Sequence, residues 1–173
     1  MKLVACFIFK KNDCSYVEDL NFVSYFNRNS VRELMHELVR VAVDTMTDTR
    51  KIFEHSPWQF VLTSPNKQQT LVMVTDNEYP VSVTLQLLST LRDDPSVLKN
   101  IIRECQDPRT ISARYRIRQQ LDETLVIMHE NVDKILQQSE DINELIQKSE
   151  RLSDQSKIFY KAARKHNRCC SIS

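Results

Sequence analysis

Leu3-Val4-Ala5-Cys6-Phe7-Ile8-Phe9 is an unbroken apolar run that stops at Lys10-Lys11-Asn12-Asp13. A run of that length ending in a polar turn predicts a buried strand, and Cys14 to Leu20 can pair back on it as a hairpin. From Asn29-Ser30 the period changes: Val31, Leu34, Met35, Leu38, Val41, Ala42 and Met46 recur at three- and four-residue spacings. That spacing predicts a long helix, with Ser30 as N-cap and Glu33 completing a capping box. Trp58-Gln59-Phe60-Val61-Leu62 and Thr70-Leu71-Val72-Met73-Val74-Thr75 are β-prone runs separated by Ser64-Pro65-Asn66-Lys67, which predicts a second hairpin. Asp76-Asn77-Glu78-Tyr79-Pro80 breaks the sheet. Helical periods then run through Val81, Leu85, Leu88 and Leu91, and from Pro95 to Cys105 through Leu98, Ile101 and Ile102. The order ββαββαα fits an α+β domain, a sheet with helices on both faces.

Past Gln106-Asp107-Pro108-Arg109 the composition shifts, and Ser112 to Arg168 contains no proline. Alternating steps of four and three pick out Ile117, Leu121, Thr124, Met128, Asn131, Ile135, Gln138, Ile142, Leu145, Ser149, Leu152, Ser156, Phe159 and Ala163. Nine of these fourteen are apolar, and acids crowd between them, so the segment carries a heptad seam over its whole length. A helix packed only on its own domain rarely sustains such a seam.

Composition removes whole function classes. The 173 residues contain no glycine, and a Walker A loop, a dinucleotide turn, an EF-hand loop and a Ser-hydrolase elbow each depend on one. With 24 Lys plus Arg against 23 Asp plus Glu, the net charge offers no reason to expect a nucleic-acid partner. The longest apolar run is too short to span a membrane and lacks the flank of a signal peptide. A cytosolic chain is expected unless something else anchors it.

Cys6, Cys14 and Cys105 have no metal-ligand spacing, and His36, His55, His129 and His166 are scattered. No metal, cofactor or catalytic residue is therefore assigned, and the chain is not expected to be an enzyme. Cys6 reads as a core residue and His129 as an exposed helix residue. The last four residues, Cys170-Ser171-Ile172-Ser173, have the C-a-a-X form with X = Ser, a farnesylation signal on Cys170, and Cys169 beside it offers a palmitoylation site. One lipid holds a protein on a membrane only marginally, whereas two anchor it stably. Lys157, Lys161, Arg164, Lys165 and Arg168 lie just upstream, suited to an anionic surface.

Taken with Phe26-Asn27-Arg28-Asn29-Ser30-Val31, Asp76-Asn77-Glu78-Tyr79-Pro80, Gln120-Leu121-Asp122-Glu123-Thr124 and Ser156-Lys157-Ile158-Phe159-Tyr160-Lys161-Ala162-Ala163-Arg164-Lys165, this pattern resembles the lipid-anchored longin R-SNARE family. The resemblance implies a longin (profilin-like) domain at 1–107, a SNARE coiled-coil segment at 108–168 and a lipidated tail at 169–173. It implies one helix given to a four-helix bundle that drives vesicle-membrane fusion in Golgi, endosomal or vacuolar transport. Leu121, Met128, Ile135, Ile142, Leu145, Leu152 and Phe159 would be its layers. The implied partners are three Q-type SNARE helices, with the general SNARE disassembly ATPase and its adaptor for recycling. The implied location is a cytosolic pool plus the cytoplasmic face of Golgi, vesicle and endosomal or vacuolar membranes.

At the central layer the family carries arginine and this chain carries Gln138. A carboxamide can still complete a ring of glutamines, without the charge-assisted bonds. The competing reading is a prenylated longin-type adaptor that binds a small GTPase or coat and dimerises through its coiled coil. A second apolar set, Leu125, Val132, Leu136, Ile146, Ile158 and Tyr160, is costly to leave in water. We therefore expect the segment to fold back in broken helical pieces onto the groove of Met35, Leu38, Val39 and Ala42, as relatives do.

Overall fold

The structure is a computed structural model that describes residues 2–10, 13–44, 46, 49–55, 57–66, 68–108, 111, 128–131, 144 and 147–169. Strands β1 (Leu3–Lys10), β2 (Asp13–Glu18), β3 (Arg50–His55), β4 (Trp58–Asn66) and β5 (Gln69–Asp76) form an antiparallel sheet in the order β2-β1-β5-β4-β3. A sixth, β6 (Met128–Asn131), joins β3 in parallel at the edge. Helix α1 (Arg28–Asp44) lies on one face; α2 (Val81–Asp93) and α3 (Leu98–Glu104) lie on the other, and α4 (Asp154–Cys169) returns to α1. This is the expected α+β longin-like fold.

The sheet is apolar on both sides, which explains why β1 reads as a continuous run instead of an alternation. Phe7, Phe53, Phe60, Leu62, Val72 and Val74 point to the α1 face, and Cys6, Ile8, Ile52, Val61, Leu71 and Met73 point to the α2 face. A register shift between Leu3 and Ala5 puts both Val4 and Ala5 on the α1 face. Two bonds tie the end of this domain to its start. Tyr79 Oη donates to the Cys105 carbonyl at 2.7 Å, buried, and Gln106 Nε2 donates to the Leu3 carbonyl at 2.8 Å.

Helix α2 starts where the sequence predicts, after Pro80, whose carbonyl accepts the first bonds from Val83 and Thr84. The α3 region opens with a 3-10 turn, Pro95–Val97, capped by Asp94 Oδ1, which accepts from the Ser96 amide and hydroxyl.

Three expectations are corrected. Strand β3 is absent from the predicted order, because in Arg50-Lys51-Ile52-Phe53-Glu54-His55 only two residues are apolar; pairing with β4, Arg50↔Thr63 through His55↔Trp58, holds it. Ser30 is not the N-cap of α1: the helix begins at Arg28, Ser30 is buried within it, and Glu33 does not reach back to it. The α1 N-terminus is instead secured by Arg28, whose guanidinium donates to the carbonyls of Val23 and Asn21. His129, expected on an exposed helix, has its backbone in β6.

Candidate functional site

Ser153 sets where α4 begins. Its Oγ accepts from the Ser156 amide at 3.3 Å and its carbonyl accepts from the Lys157 amide at 3.1 Å, the two roles of an N-cap. Asp154 in the first turn complements the helix dipole. Leu152, Ser156 and Tyr160 then fall four residues apart on one face, and all three are buried; Leu152 and Tyr160 join the same apolar cluster as Met35, Leu38, Val39 and Ala42, with Phe159 packed against it. The Tyr160 ring also stacks on His55 at the end of β3, centroids 6.3 Å apart. Burying a side chain of this size stabilises by about 1.5–3 kcal/mol.

The rim of this contact is polar. Glu33 Oε2 accepts three bonds from the returning segment: from the Ser153 amide at 2.9 Å, from Ser153 Oγ at 2.7 Å and from Ser156 Oγ at 2.7 Å. One turn further along α1, Glu37 Oε1 accepts from Ser149 Oγ at 3.2 Å. Burial pulls the Glu33 carboxyl upward, but the Ser156 and Ser153 donors outweigh it and hold the group below the ordinary carboxylate range. A second carboxylate stands under α1. Glu18 on β2 is bonded by Arg32 and lies 3.4 Å from His36 Nε2; burial raises it, and the His36 and Arg32 bonds bring it below its ordinary value.

Sequence reasoning missed this serine and glutamate set. The available signal was Glu33 and Glu37 one turn apart on α1 facing a segment with serines at 149, 153 and 156; the capping-box reading had assigned Glu33 elsewhere.

Of the expected layer residues, Leu152 is buried, Phe159 is half-buried, and Met128 lies in β6, whose backbone runs beside Lys51 of β3. Leu121, Ile135, Gln138, Ile142 and Leu145 lie outside the described residues, as do Cys170 and, from the second apolar set, Leu125, Val132, Leu136 and Ile146. Cys169 is the last residue of α4. Within that second set Tyr160 is buried but Ile158 stays 67% exposed, so the two do not share a surface.

Cys6 and Cys105 are buried on the α2 face, and burial, with Cys105 nearby, pushes the Cys6 thiol far above the range in which a thiolate forms. Such a thiol packs as a small hydrophobe and is no nucleophile. Among the described residues no helix is long and apolar enough to cross a membrane.

Residues 114–172 match the synaptobrevin family. The chain is 32% identical over 173 residues to the synaptobrevin homolog ykt6 of Schizosaccharomyces pombe, covering 89% of this chain and 88% of that one. It belongs to the longin R-SNARE family. The synaptobrevin homolog YKT6 of Saccharomyces cerevisiae is 31% identical over 185 residues, covering 94% of this chain and 92% of that protein, and that of Candida glabrata is 30% identical with 94% and 90% covered. As a longin R-SNARE the chain has a SNARE role in vesicle fusion, and the adaptor reading is not favoured. Membership also implies pairing with other SNAREs and an association with membrane traffic, within a family that is in general non-enzymatic.

Proposed function

We propose that this longin R-SNARE alternates between the closed chain and a bundle-forming one, in which residues 108–168 give one helix to a complex with three Q-type SNARE helices. One observation carries the proposal. Leu152, Ser156 and Phe159 are seam positions of the heptad pattern, and the same three pack against the longin domain here. A side chain cannot fill both places, so docking and zippering exclude each other. A helix through Met128–Asn131 likewise requires β6 to leave β3. The longin domain, residues 1–107, thereby regulates its own SNARE segment.

In the bundle, Leu121, Met128, Ile135, Ile142, Leu145, Leu152 and Phe159 form layers around Gln138. The proposed work is in Golgi, endosomal or vacuolar transport, with no catalytic step of the chain's own and with recycling by the general disassembly ATPase and its adaptor. Farnesyl on Cys170 and palmitoyl on Cys169 in the 169–173 tail hold the working form on the cytoplasmic face of those membranes, and the closed form supplies a cytosolic pool.

The test is to mix the full chain with three Q-type SNARE helices and follow the appearance of a heat-resistant four-helix complex. Wild type should assemble slowly and Glu33→Ala faster, with the same final complex. A chain that dimerises alone and forms no such complex refutes the bundle; equal rates for the two proteins refute the regulation.

A further inference from the structure

Arg50 and Thr63 pair across β3 and β4 at the end of the sheet remote from His55 and Trp58. Side chains two residues apart in a strand share a face. Ile52 and Val61 belong to the α2-face cluster, so Arg50 and Thr63 lie on that face too. Helix α2 brings Leu85, Leu88, Ser89 and Arg92 over the same corner, and a cavity of about 190 Å³ opens between them. Ser64, whose amide donates to the Thr49 carbonyl at 2.8 Å, closes its rim. Arg92 Nη2 and Ser89 Oγ stand 3.5 Å apart on successive turns.

Two arginines, Arg50 and Arg92, and the hydroxyl residues Thr63, Ser64 and Ser89 therefore line one cavity together with Leu85 and Leu88, the Ser64 hydroxyl donating to the Gln69 carbonyl at 3.3 Å. Among the described lining residues none is acidic. We propose that this cavity binds a phosphomonoester carried on a small polyol, of the inositol phosphate type, either free in solution or as a lipid headgroup.

The planar fork of arginine matches phosphate oxygens two at a time, and two such cations balance a group that carries about −1.5 to −2 charge at pH 7. The hydroxyls of Thr63 and Ser89 offer the donor and acceptor pairs that polyol hydroxyls need. At about 30 Å³ per water the volume equals roughly six waters, enough for a phosphate and the ring atoms beside it and too little for a stretch of peptide.

The experiment uses the full chain labelled with 15N and titrates it with inorganic phosphate, then with inositol trisphosphate. Saturable shifts should centre on the amides of Arg50, Ser64, Ser89 and Arg92, and inositol trisphosphate should bind more tightly than phosphate. Arg50→Gln and Arg92→Gln should each weaken binding at least about tenfold, with unchanged melting temperatures, and Arg92→Lys should weaken it less. Vesicles containing phosphatidylinositol bisphosphate, against vesicles of phosphatidylcholine alone, separate the two sources. Capture by the former identifies a lipid headgroup, and binding of the soluble compound without capture identifies a free ligand. Unsaturable shifts, shifts centred on Lys157 and Lys161, full-strength binding by both Arg→Gln variants, or tighter binding of a phosphoserine peptide would overturn the proposal.

Discussion

On the α2 face of the sheet the cover comes from residues 79–111, directly following the last strand of the antiparallel sheet, and every member of that cluster lies within this stretch or the strands and is an apolar or thiol side chain, except Tyr79, whose hydroxyl is bonded to the Cys105 carbonyl. On the α1 face the cover is α1 plus Leu152 and Tyr160, which arrive from the far end of the chain. The second closure differs in chemistry as well. Its rim depends on Glu33 and Glu37 accepting bonds from serines, and Glu18 sits under the same helix. Apolar burial is indifferent to pH and hard to undo in part, whereas a contact completed by a few side chains and a carboxylate can be released while the rest of the domain stays folded. In the proposed cycle, the contrast separates the part of the molecule that persists from the part that lets go.

The strongest way to break this contrast is to cut into each face in turn. Leu91→Ala on the α2 face should cost about 2–5 kcal/mol of global stability, read as a lower urea midpoint. Leu152→Ala should leave most of that midpoint in place and instead raise amide exchange over residues 153–160. Equal losses of global stability in the two variants would mean that the α4 dock belongs to the permanent core.

Removing the acceptor is the next test. Glu33→Ala leaves the donors of Ser153 and Ser156 to water and should weaken docking by about 1–3 kcal/mol, seen as faster exchange in α4 with no change for α2. Unaltered protection of α4 would show that Leu152 and Tyr160 hold the dock without the rim.

Acid should sharpen the difference further. Glu33 and Glu18 both titrate below their ordinary values in the folded chain. Their contribution is therefore fully present above the unfolded carboxylate value of about 4.3 and is lost as pH falls through the lower, folded value. Amide exchange corrected for its intrinsic pH dependence should show the α1 and α4 face loosening below that pH before the α2 face does. Simultaneous loosening of both faces would remove the carboxylates from the account. The smallest effect belongs to Ile158→Ser: an exposed position should shift closed-state stability by no more than about 0.5 kcal/mol, and a larger loss would place Ile158 against the domain.

The pattern of the chain revealed one face of this design better than the other. Helices α1 and α2 and strands β1, β4 and β5 were legible because each helix carries its own apolar period and each of these strands its own apolar run. Strand β3 was not, since Ile52 and Phe53 stand between charged residues and only the β4 partner makes them a strand. Strand β6 was further out of reach: Met128-His129-Glu130-Asn131 has two helical seam positions, Met128 and Asn131, and no β alternation, and an available edge on β3 decides its conformation. The serine contacts were hidden for a related reason. Ser149 and Ser156 look like small seam residues of a coiled coil, and their second use appears only when Glu33 and Glu37 are placed opposite them.

The parallel strand at the sheet edge also sets a clock. While β6 covers β3, the backbone of residues 51–54 is paired on both sides. In the proposed open form the segment has left to zipper elsewhere, and that strand is a bare edge, a template to which any extended chain can add. Lys51 and Glu54 give it some charge, but Ile52 and Phe53 lie at its middle. On that proposal the released protein has a short safe lifetime that falls as its concentration rises, and rapid capture by partners or rapid reclosure protects it from sticking to its own copies.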